Sequence, residues 1–132
     1  MVVSQDAVRR DMLKVNDVDG NLSIELIKQI AEYGNGKCEV IIVEGILNTY
    51  RYKEMLEELI ASFEGNAYSF YFDLSFEETV QRHHSRSKKN DFGEDSLRRW
   101  WNAHDYLDEH TDIRVTDEMS QEDILALILR TI

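Results

Sequence analysis

The stretch from Cys38 to Leu47, CEVIIVEGIL, is the main sequence evidence for the predicted fold. Its first part, Cys38–Val43, is an apolar run typical of a strand covered on both faces. Glu44 and Gly45 follow: an acid there can hold magnesium through water or orient an attacking hydroxyl, and glycine lets a substrate approach the backbone closely. Alternatively, Glu44 caps the next helix and Gly45 makes a turn. The stretch by itself leaves both interpretations open.

Strands and helices alternate on both sides of this stretch. The predicted strands are Val2–Gln5, Cys38–Val43, Ala67–Phe72 and Ile113–Thr116. Helices are predicted at Ala7–Leu13, along the stripes from Ile24 to Ala31 and from Tyr52 to Phe63, from the capping box at Ser75 to Arg86, at Leu97–Tyr106, and after Ser120, where Ile124, Leu127 and Ile128 face the core. Such alternation predicts an α/β fold with a parallel sheet covered by helices.

Length and composition narrow the class of protein. The 132 residues suit one compact domain, with residues 1–74 and 111–132 as core and residues 75–110 as a lid region containing a mobile loop at Ser87–Gly93. The formal net charge of -11 argues against a nucleic acid polymer as partner. With one cysteine, no apolar stretch of about 18 residues and no secretory signal, a cytoplasmic setting without a membrane partner is expected.

Three acids lie where predicted strands end, namely Asp6, Glu44 and Asp73. In parallel sheets, ligands bind outside the carboxyl ends of the strands. Asp6 and Arg9 form a D-x-x-R pair, in which the acid could take a proton from a substrate hydroxyl and the arginine could hold an anion. The competing interpretation is that Asp6 caps a helix and Arg9 lies on a solvated face. Ser4 is a candidate substrate contact.

Two arginines, Arg82 and Arg86, lie four residues apart and share a helix face. Two guanidinium groups on a flexible segment suit a lid that closes over nucleotide phosphates. Ordinary ion pairing with Glu78 and its neighbours is the alternative.

The stretch from Phe72 to Arg86, FDLSFEETVQRHHSR, resembles the fourth-strand and lid passage of small P-loop kinases, a group that includes adenylate kinase, gluconate kinase, chloramphenicol phosphotransferase and zeta toxin. The resemblance covers nearly the whole chain and implies ATP-dependent phosphorylation of a small hydroxyl-bearing substrate, with ATP and Mg²⁺. It implies Asp6 as general base, Arg9 as acceptor clamp and Glu44 as magnesium-site acid. Ser4 and Gly45 are the candidate substrate contacts beside them. Arg82 and Arg86 become lid arginines, and Thr116 and Asp117 lie near the adenine.

The chain departs from this family in one respect. None of its residues forms the G-x-x-x-x-G-K-[ST] phosphate loop. The family's first strand, phosphate loop and first helix are expected before Val2, and that strand is central in the family's 2-3-1-4-5 order. The sequence therefore predicts a chain inactive as given, or alternatively a non-catalytic remnant that binds proteins or self-associates through exposed sheet edges at Cys38–Val43 and Ala67–Phe72.

Two further sequence patterns are only weak indications of a metal site. Asp17-Val18-Asp19-Gly20-Asn21 hints at a calcium loop, but Leu22 stands where such a loop needs glycine. The four histidines, His83, His84, His104 and His110, do not predict a shared zinc ion, because adjacent histidines on a helix point in different directions.

Overall fold

The computed structural model describes residues 1–85, 90 and 92–132. The chain forms two compact units, Met1–Ala67 (unit 1) and Tyr68–Ile132 (unit 2). Both are mixed α/β, and each contains one two-stranded parallel sheet. The described strands thus form two separate pairs, where the sequence predicts one sheet. Among the described helices, none has the length and apolar character needed to cross a membrane.

Unit 1 places two helices and a short π-helix around its pair of strands. Its elements are β1 (Val2–Ser4), a π-helix (Ala7–Met12), α1 (Leu22–Gly34), β2 (Ile42–Glu44) and α2 (Thr49–Ser62). The parallel register sets Val2 opposite Ile42 and Ser4 opposite Glu44. The predicted strand at Val2–Gln5 and both predicted helical stripes are confirmed.

The core of unit 1 forms where α1 and α2 face each other. Asn21 begins α1, because its side chain accepts a hydrogen bond from the backbone N–H of Ser23 at 3.0 Å. Ile27, Ala31 and Tyr52 are completely buried. Burial of this kind stabilises by roughly 1.5–3 kcal/mol for each large side chain, so the helical stripe read from the sequence is the face that holds unit 1 together.

The predicted strand Cys38–Val43 is wrong in both extent and burial. The strand found is Ile42–Glu44, and Ile42 is 50% exposed. Successive strand residues point to opposite faces of a sheet. Val3 and Val43 contact the core of unit 1, whereas Val2 and Ile42 lie on the other face, so the apolar run is covered on one face only.

The short helix predicted at Ala7–Leu13 is a π-helix. The backbone N–H of Leu13 donates to the carbonyl oxygen of Val8 at 3.0 Å, five residues earlier. Helices of this type are rare and often lie at functional sites. Here the π-helix directly follows the end of β1.

Unit 2 consists of β3 (Phe70–Phe72), α3 (Phe76–Ser85), α4 (Glu94–Trp100), β4 (Ile113–Val115) and α5 (Gln121–Thr131). The strands pair in parallel, with Phe70 opposite Ile113 and Phe72 opposite Val115. The predicted helix starts at Ser75 and Ser120 are confirmed, whereas the helix predicted from Leu97 begins at Glu94. Ser75 accepts a hydrogen bond from the backbone N–H of Glu78 at 3.1 Å, and Ser120 forms a full capping box with Asp123.

Two expectations for unit 2 are corrected. The predicted helix Leu97–Tyr106 ends at Trp100, because side chains of β3 and the residue after it bind the backbone and side chains of the following turn. No residue of α5 is fully buried, and its predicted core residues Ile124, Leu127 and Ile128 are half-buried. Arg86 and most of the predicted mobile loop, namely Ser87, Lys88, Lys89 and Asp91, lie outside the described residues.

Candidate functional site

The predicted acceptor residues lie at one edge of unit 1. Ser4 and Glu44 are opposite each other at the carboxyl ends of the parallel strands β1 and β2. Asp6 and Gly45 follow those ends within two residues. The fold of unit 1 therefore places Ser4, Asp6, Glu44 and Gly45 at the edge where parallel sheets bind ligands.

Asp6 is held by two arginines. Its Oδ1 lies 3.0 Å from Arg9 Nη2 and 3.1 Å from Arg10 Nε. Asp6 makes no side-chain capping bond, and Arg9 is buried and donates to the carbonyl oxygen of Val15 at 3.2 Å. The alternative of a capping aspartate beside a solvated arginine is therefore wrong. The buried guanidinium fixes Asp6, whose side chain remains 60% exposed.

Glu44 and Gly45 are not parts of a helix cap. The N-cap of α2 is Asn48, and Glu44 is an exposed residue at the end of β2. Gly45 has a φ of +149°, a conformation that side chains rarely adopt. A Cβ atom there would lie 2.5 Å from Cβ of Gln5, so glycine allows the chain to leave β2 close against β1.

A polar network that begins at the buried residues Gln5 and Tyr52 lies beside this edge, and the sequence reasoning missed it. Gln5 Nε2 donates to the hydroxyl of Tyr52 at 3.0 Å, and that hydroxyl donates to Asp17 Oδ1 at 2.6 Å. Asp17 also pairs with Arg51 at 3.0 Å, and Arg51 Nε lies 3.1 Å from Asp19. Burial, supported by the bond to Asp17, raises the pKa of Tyr52, which keeps the hydroxyl a donor.

This network explains two features that the sequence left unconnected. The Asp17–Asn21 turn binds an arginine of α2, so its carboxylates are ion-pair partners. Tyr52 is the one residue of its helical stripe with a polar tip, and that tip requires a partner when buried. Its place in an otherwise apolar stripe is the signal that could have predicted the network.

In unit 2 the structure brings Arg82 and Asp117 together. Arg82 Nη2 donates to the carbonyl oxygens of Met119 at 3.0 Å and Asp117 at 3.4 Å. Arg82 Nε binds Glu78 at 2.6 Å, which is the predicted alternative pairing. Asp117 Oδ1 accepts a hydrogen bond from the backbone N–H of Ser75 at 2.9 Å. Hydrogen bonds from the side chain of Ser75, and to a smaller extent from its backbone, lower the pKa of Asp117.

A pocket of about 260 Å³ lies beside Arg82. Its walls are largely apolar, with Phe72, Leu74 and Leu97 among the lining residues. Thr116 follows β4, and its hydroxyl donates a hydrogen bond to Glu118 Oε2 at 2.6 Å. The predicted nucleotide residues Arg82, Thr116 and Asp117 are thus placed around the carboxyl ends of β3 and β4, and Arg86 is outside the described residues.

Asp73, the third predicted strand-end acid, has other partners. It directly follows β3 and binds His104 and Tyr106.

Across the described residues, no group of three or more histidine, cysteine, aspartate or glutamate side chains is arranged to hold a metal ion. No protein-family model matches the chain, and no curated protein or solved structure shows significant similarity to it.

Proposed function

We propose that the chain supplies the acceptor-binding and nucleotide-binding parts of an ATP-dependent phosphotransferase acting on a small hydroxyl-bearing substrate. The observation that carries this proposal is the convergence of Ser4, Asp6, Glu44 and Gly45 at the carboxyl edge of β1 and β2. These positions belong to two separate stretches of sequence, and the parallel pairing of β1 with β2 brings the stretches together.

The chemistry of unit 1 suits the acceptor role. Asp6 is exposed, and a carboxylate can take the proton from an attacking hydroxyl. Arg9 holds Asp6 from its buried side, and Arg10 lies on the same carboxylate. Glu44 is the residue that would hold Mg²⁺, which typically takes one or two carboxylates, water and substrate phosphates. Bound Mg²⁺ would neutralise charge on the phosphates.

The nucleotide role of unit 2 rests on Arg82 and its pocket. A guanidinium at the edge of an apolar cavity can hold a phosphate while the walls contact a base or ribose. Arg82 is bound to Glu78 and to two backbone carbonyl oxygens. Phosphate binding therefore requires Arg82 to exchange at least one of these partners.

Titration of the isotope-labelled chain with Mg-ATP tests this role. We expect amide shifts at Ser75, Arg82 and Thr116–Met119, and weaker binding in Arg82→Gln. Arg98→Gln is the matched control, because Arg98 also pairs with a glutamate four residues earlier, at 3.5 Å. Absence of shifts at millimolar Mg-ATP, or equal weakening by both substitutions, would reject the nucleotide role.

Turnover is a separate matter, because the sequence contains no phosphate loop. Preorganised donors for the transferring phosphoryl group are worth several kcal/mol each. We expect negligible ATP turnover by the purified 132-residue chain in the presence of sugars or nucleosides. A rate of about 1 per second, the lower range for kinases, that Glu44→Gln abolishes would show that the chain is a complete kinase.

The second candidate function is self-association through open strand edges. β2 and β3 each pair with one strand in the described part of the chain. The pairs β1-β2 and β3-β4 are compatible with the outer neighbours 2-3 and 4-5 of the 2-3-1-4-5 order that the resemblance implies. Unpaired edges recruit other chains, and exposed Ile42 and Phe72 lie on these strands.

Sedimentation at micromolar concentration separates the two candidates. Under the second candidate, dimers or larger species form whether or not Mg-ATP is present, and Val43→Pro weakens them because proline cannot donate to an added strand. A single 15.5 kDa species that melts cooperatively would exclude association.

A further inference from the structure

Three side chains of unit 2 form a hydrogen-bonded cluster where β3 ends. Asp73 Oδ1 lies 3.1 Å from His104 Nδ1, and the hydroxyl of Tyr106 donates to Asp73 Oδ2 at 2.5 Å. A carboxylate can only accept, so His104 Nδ1 carries the proton of this bond. In the neutral ring the lone pair is then on Nε2, and His104 is 71% exposed.

The carboxylate that orients His104 is itself fixed. The Tyr106 ring packs edge-on against Tyr71, with ring centroids 4.7 Å apart, and Arg114 lies 4.7 Å above the same ring. The bond to Asp73 raises the pKa of Tyr106, so the hydroxyl remains a donor. The Asp73 side chain is 19% exposed and is held from both oxygens.

His104 also has a strained backbone. Its φ is +53°, in the left-handed region that glycine favours. Non-glycine residues are uncommon in this region and persist there where the surroundings fix them, often at functional sites. The strained conformation brings the ring to Asp73 in a turn that follows the end of α4.

A pocket of about 310 Å³ opens beside the cluster. Asp73 and His104 line it, together with Leu74, Trp101 and Ala103. Trp101 Nε1 donates to the carbonyl oxygen of Leu74 at 3.2 Å, and its ring packs against Phe76. The aromatic wall is therefore fixed, and it suits a small planar group.

We propose that Asp73, His104 and Tyr106 form a general-base site that activates water to hydrolyse small esters with an aromatic leaving group. The site lies wholly within unit 2 and needs neither ATP nor the acceptor residues of unit 1. It therefore stands apart from the proposed phosphotransfer.

The reaction follows from the proton arrangement. His104 Nε2 takes a proton from water as the water oxygen bonds to the ester carbonyl carbon. The bond from that carbon to the aryl oxygen breaks, and the proton on Nε2 passes to the leaving oxygen. The products are a carboxylic acid and a phenol. Asp73 stabilises the imidazolium between the two proton transfers and acts as a positioning residue through Nδ1.

Hydrolysis of p-nitrophenyl acetate by the 132-residue chain, without ATP, tests the proposal. We expect a rate above that of free imidazole at the same concentration and a loss of about 100-fold in His104→Asn. Asparagine tolerates the left-handed backbone, so this variant keeps the turn, and circular dichroism checks the fold. His110→Asn is the control, because His110 is exposed and outside the pocket, and its rate stays that of the parent chain.

Nitrogen NMR of the imidazole ring measures the tautomer of His104 and is a second test. A cluster with a purely structural role would not show both the Nδ1–H tautomer and the raised hydrolysis rate. We expect His104 in the Nδ1–H tautomer, and Asp73→Asn removes that preference and lowers the rate without unfolding the chain. A rate equal to that of free imidazole, or equal losses in His104→Asn and His110→Asn, would overturn the proposal. His104 in the Nε2–H tautomer would do the same.

Discussion

Units 1 and 2 have similar strand pairs, but each unit is stabilised internally by different interactions. Each has a parallel pair of three-residue strands with an acid near its carboxyl edge. In unit 1, Ile27, Ala31 and Tyr52 are fully buried between two long helices. Among the described residues of unit 2, the buried hydrophobic residues are Phe76, Leu97 and Val115, and α5 contributes none.

The difference shows that one arrangement of strands can rest on two kinds of interaction. Unit 1 depends on apolar burial, which is insensitive to pH. Unit 2 depends more on helix caps, aromatic contacts and hydrogen-bonded carboxylates, such as the Ser120–Asp123 box and the Ser75–Asp117 bond. Exposed interactions of this kind each contribute less than the burial of a large apolar side chain, because water competes for the same groups.

We expect the largest change in the free energy of unfolding in a comparison of two leucine substitutions, one in each unit. Leu59 in α2 is 7% exposed and Leu129 in α5 is 63% exposed. We expect Leu59→Ala to lower the free energy of unfolding by about 2–5 kcal/mol, because it leaves a cavity. Leu129→Ala changes that free energy by less than about 0.5 kcal/mol.

Urea unfolding followed by circular dichroism measures both values. If Leu129→Ala costs as much as Leu59→Ala, α5 is covered by another surface in solution, and the contrast between the units fails.

A smaller effect concerns the glycine at the acceptor edge. In Gly45→Ala the new Cβ atom meets Cβ of Gln5 at 2.5 Å, in addition to the strained φ of +149°. Gly36→Ala is the matched control, because its φ is +71° and nothing lies within 4 Å. We expect Gly36→Ala to cost about 1 kcal/mol from backbone strain alone and Gly45→Ala to cost more.

Thermal melts rank the two glycine variants. Equal destabilisation would mean that β1 and β2 separate easily at their carboxyl ends, and that the edge is less fixed than the network around Tyr52 implies.

The smallest expected effect is a response of unit 2 to acid. Hydrogen bonds from Ser75 and Ser120 lower the pKa values of Asp117 and Asp123 below 3.8, and a bond from Thr116 lowers that of Glu118 below 4.5. A carboxylate with a lowered folded-state pKa stabilises above its unfolded value, and that stabilisation is lost as pH falls through the folded value.

Acid titration between pH 5 and pH 2, followed by carboxyl carbon NMR, checks the sign. We expect the protection factors of the amides at the start of α5 to fall in this range, while Ile27 and Ala31 in unit 1 stay protected. Titration midpoints of Asp117 and Asp123 at or above 3.8 would contradict the hydrogen bonds that define this turn.

Much of the local structure was predictable, because it depends on residues close in sequence. The stripe from Ile24 to Ala31 repeats with helical period and is the buried face of α1. Ser120 was predicted as a cap and is one. The D-x-x-R spacing placed Arg9 one turn from Asp6, and the two side chains meet at 3.0 Å.

The failures concern burial and distant partners. The run Cys38–Val43 reads as a covered strand, yet only one face of β2 meets helices, so the run is half exposed. The stretch Leu97–Tyr106 has apolar residues at helical spacing, yet the helix ends at Trp100 because Tyr71 and Asp73, about 30 residues earlier, bind its continuation. Local propensity carries no information about such partners.

Sequence reasoning predicted the helix starts at Ser75 and Ser120, the apolar faces of α1 and α2, and the acids that follow the ends of several strands. These properties follow from periodicity and from hydrogen bonds between near neighbours. Tertiary structure alone decided that Ser4 faces Glu44 across a strand pair, that Tyr52 joins Gln5 to Asp17, and that Asp73 meets His104. Each of these contacts joins residues separated by 30 or more positions, and only the packing of the folded chain brings such residues together.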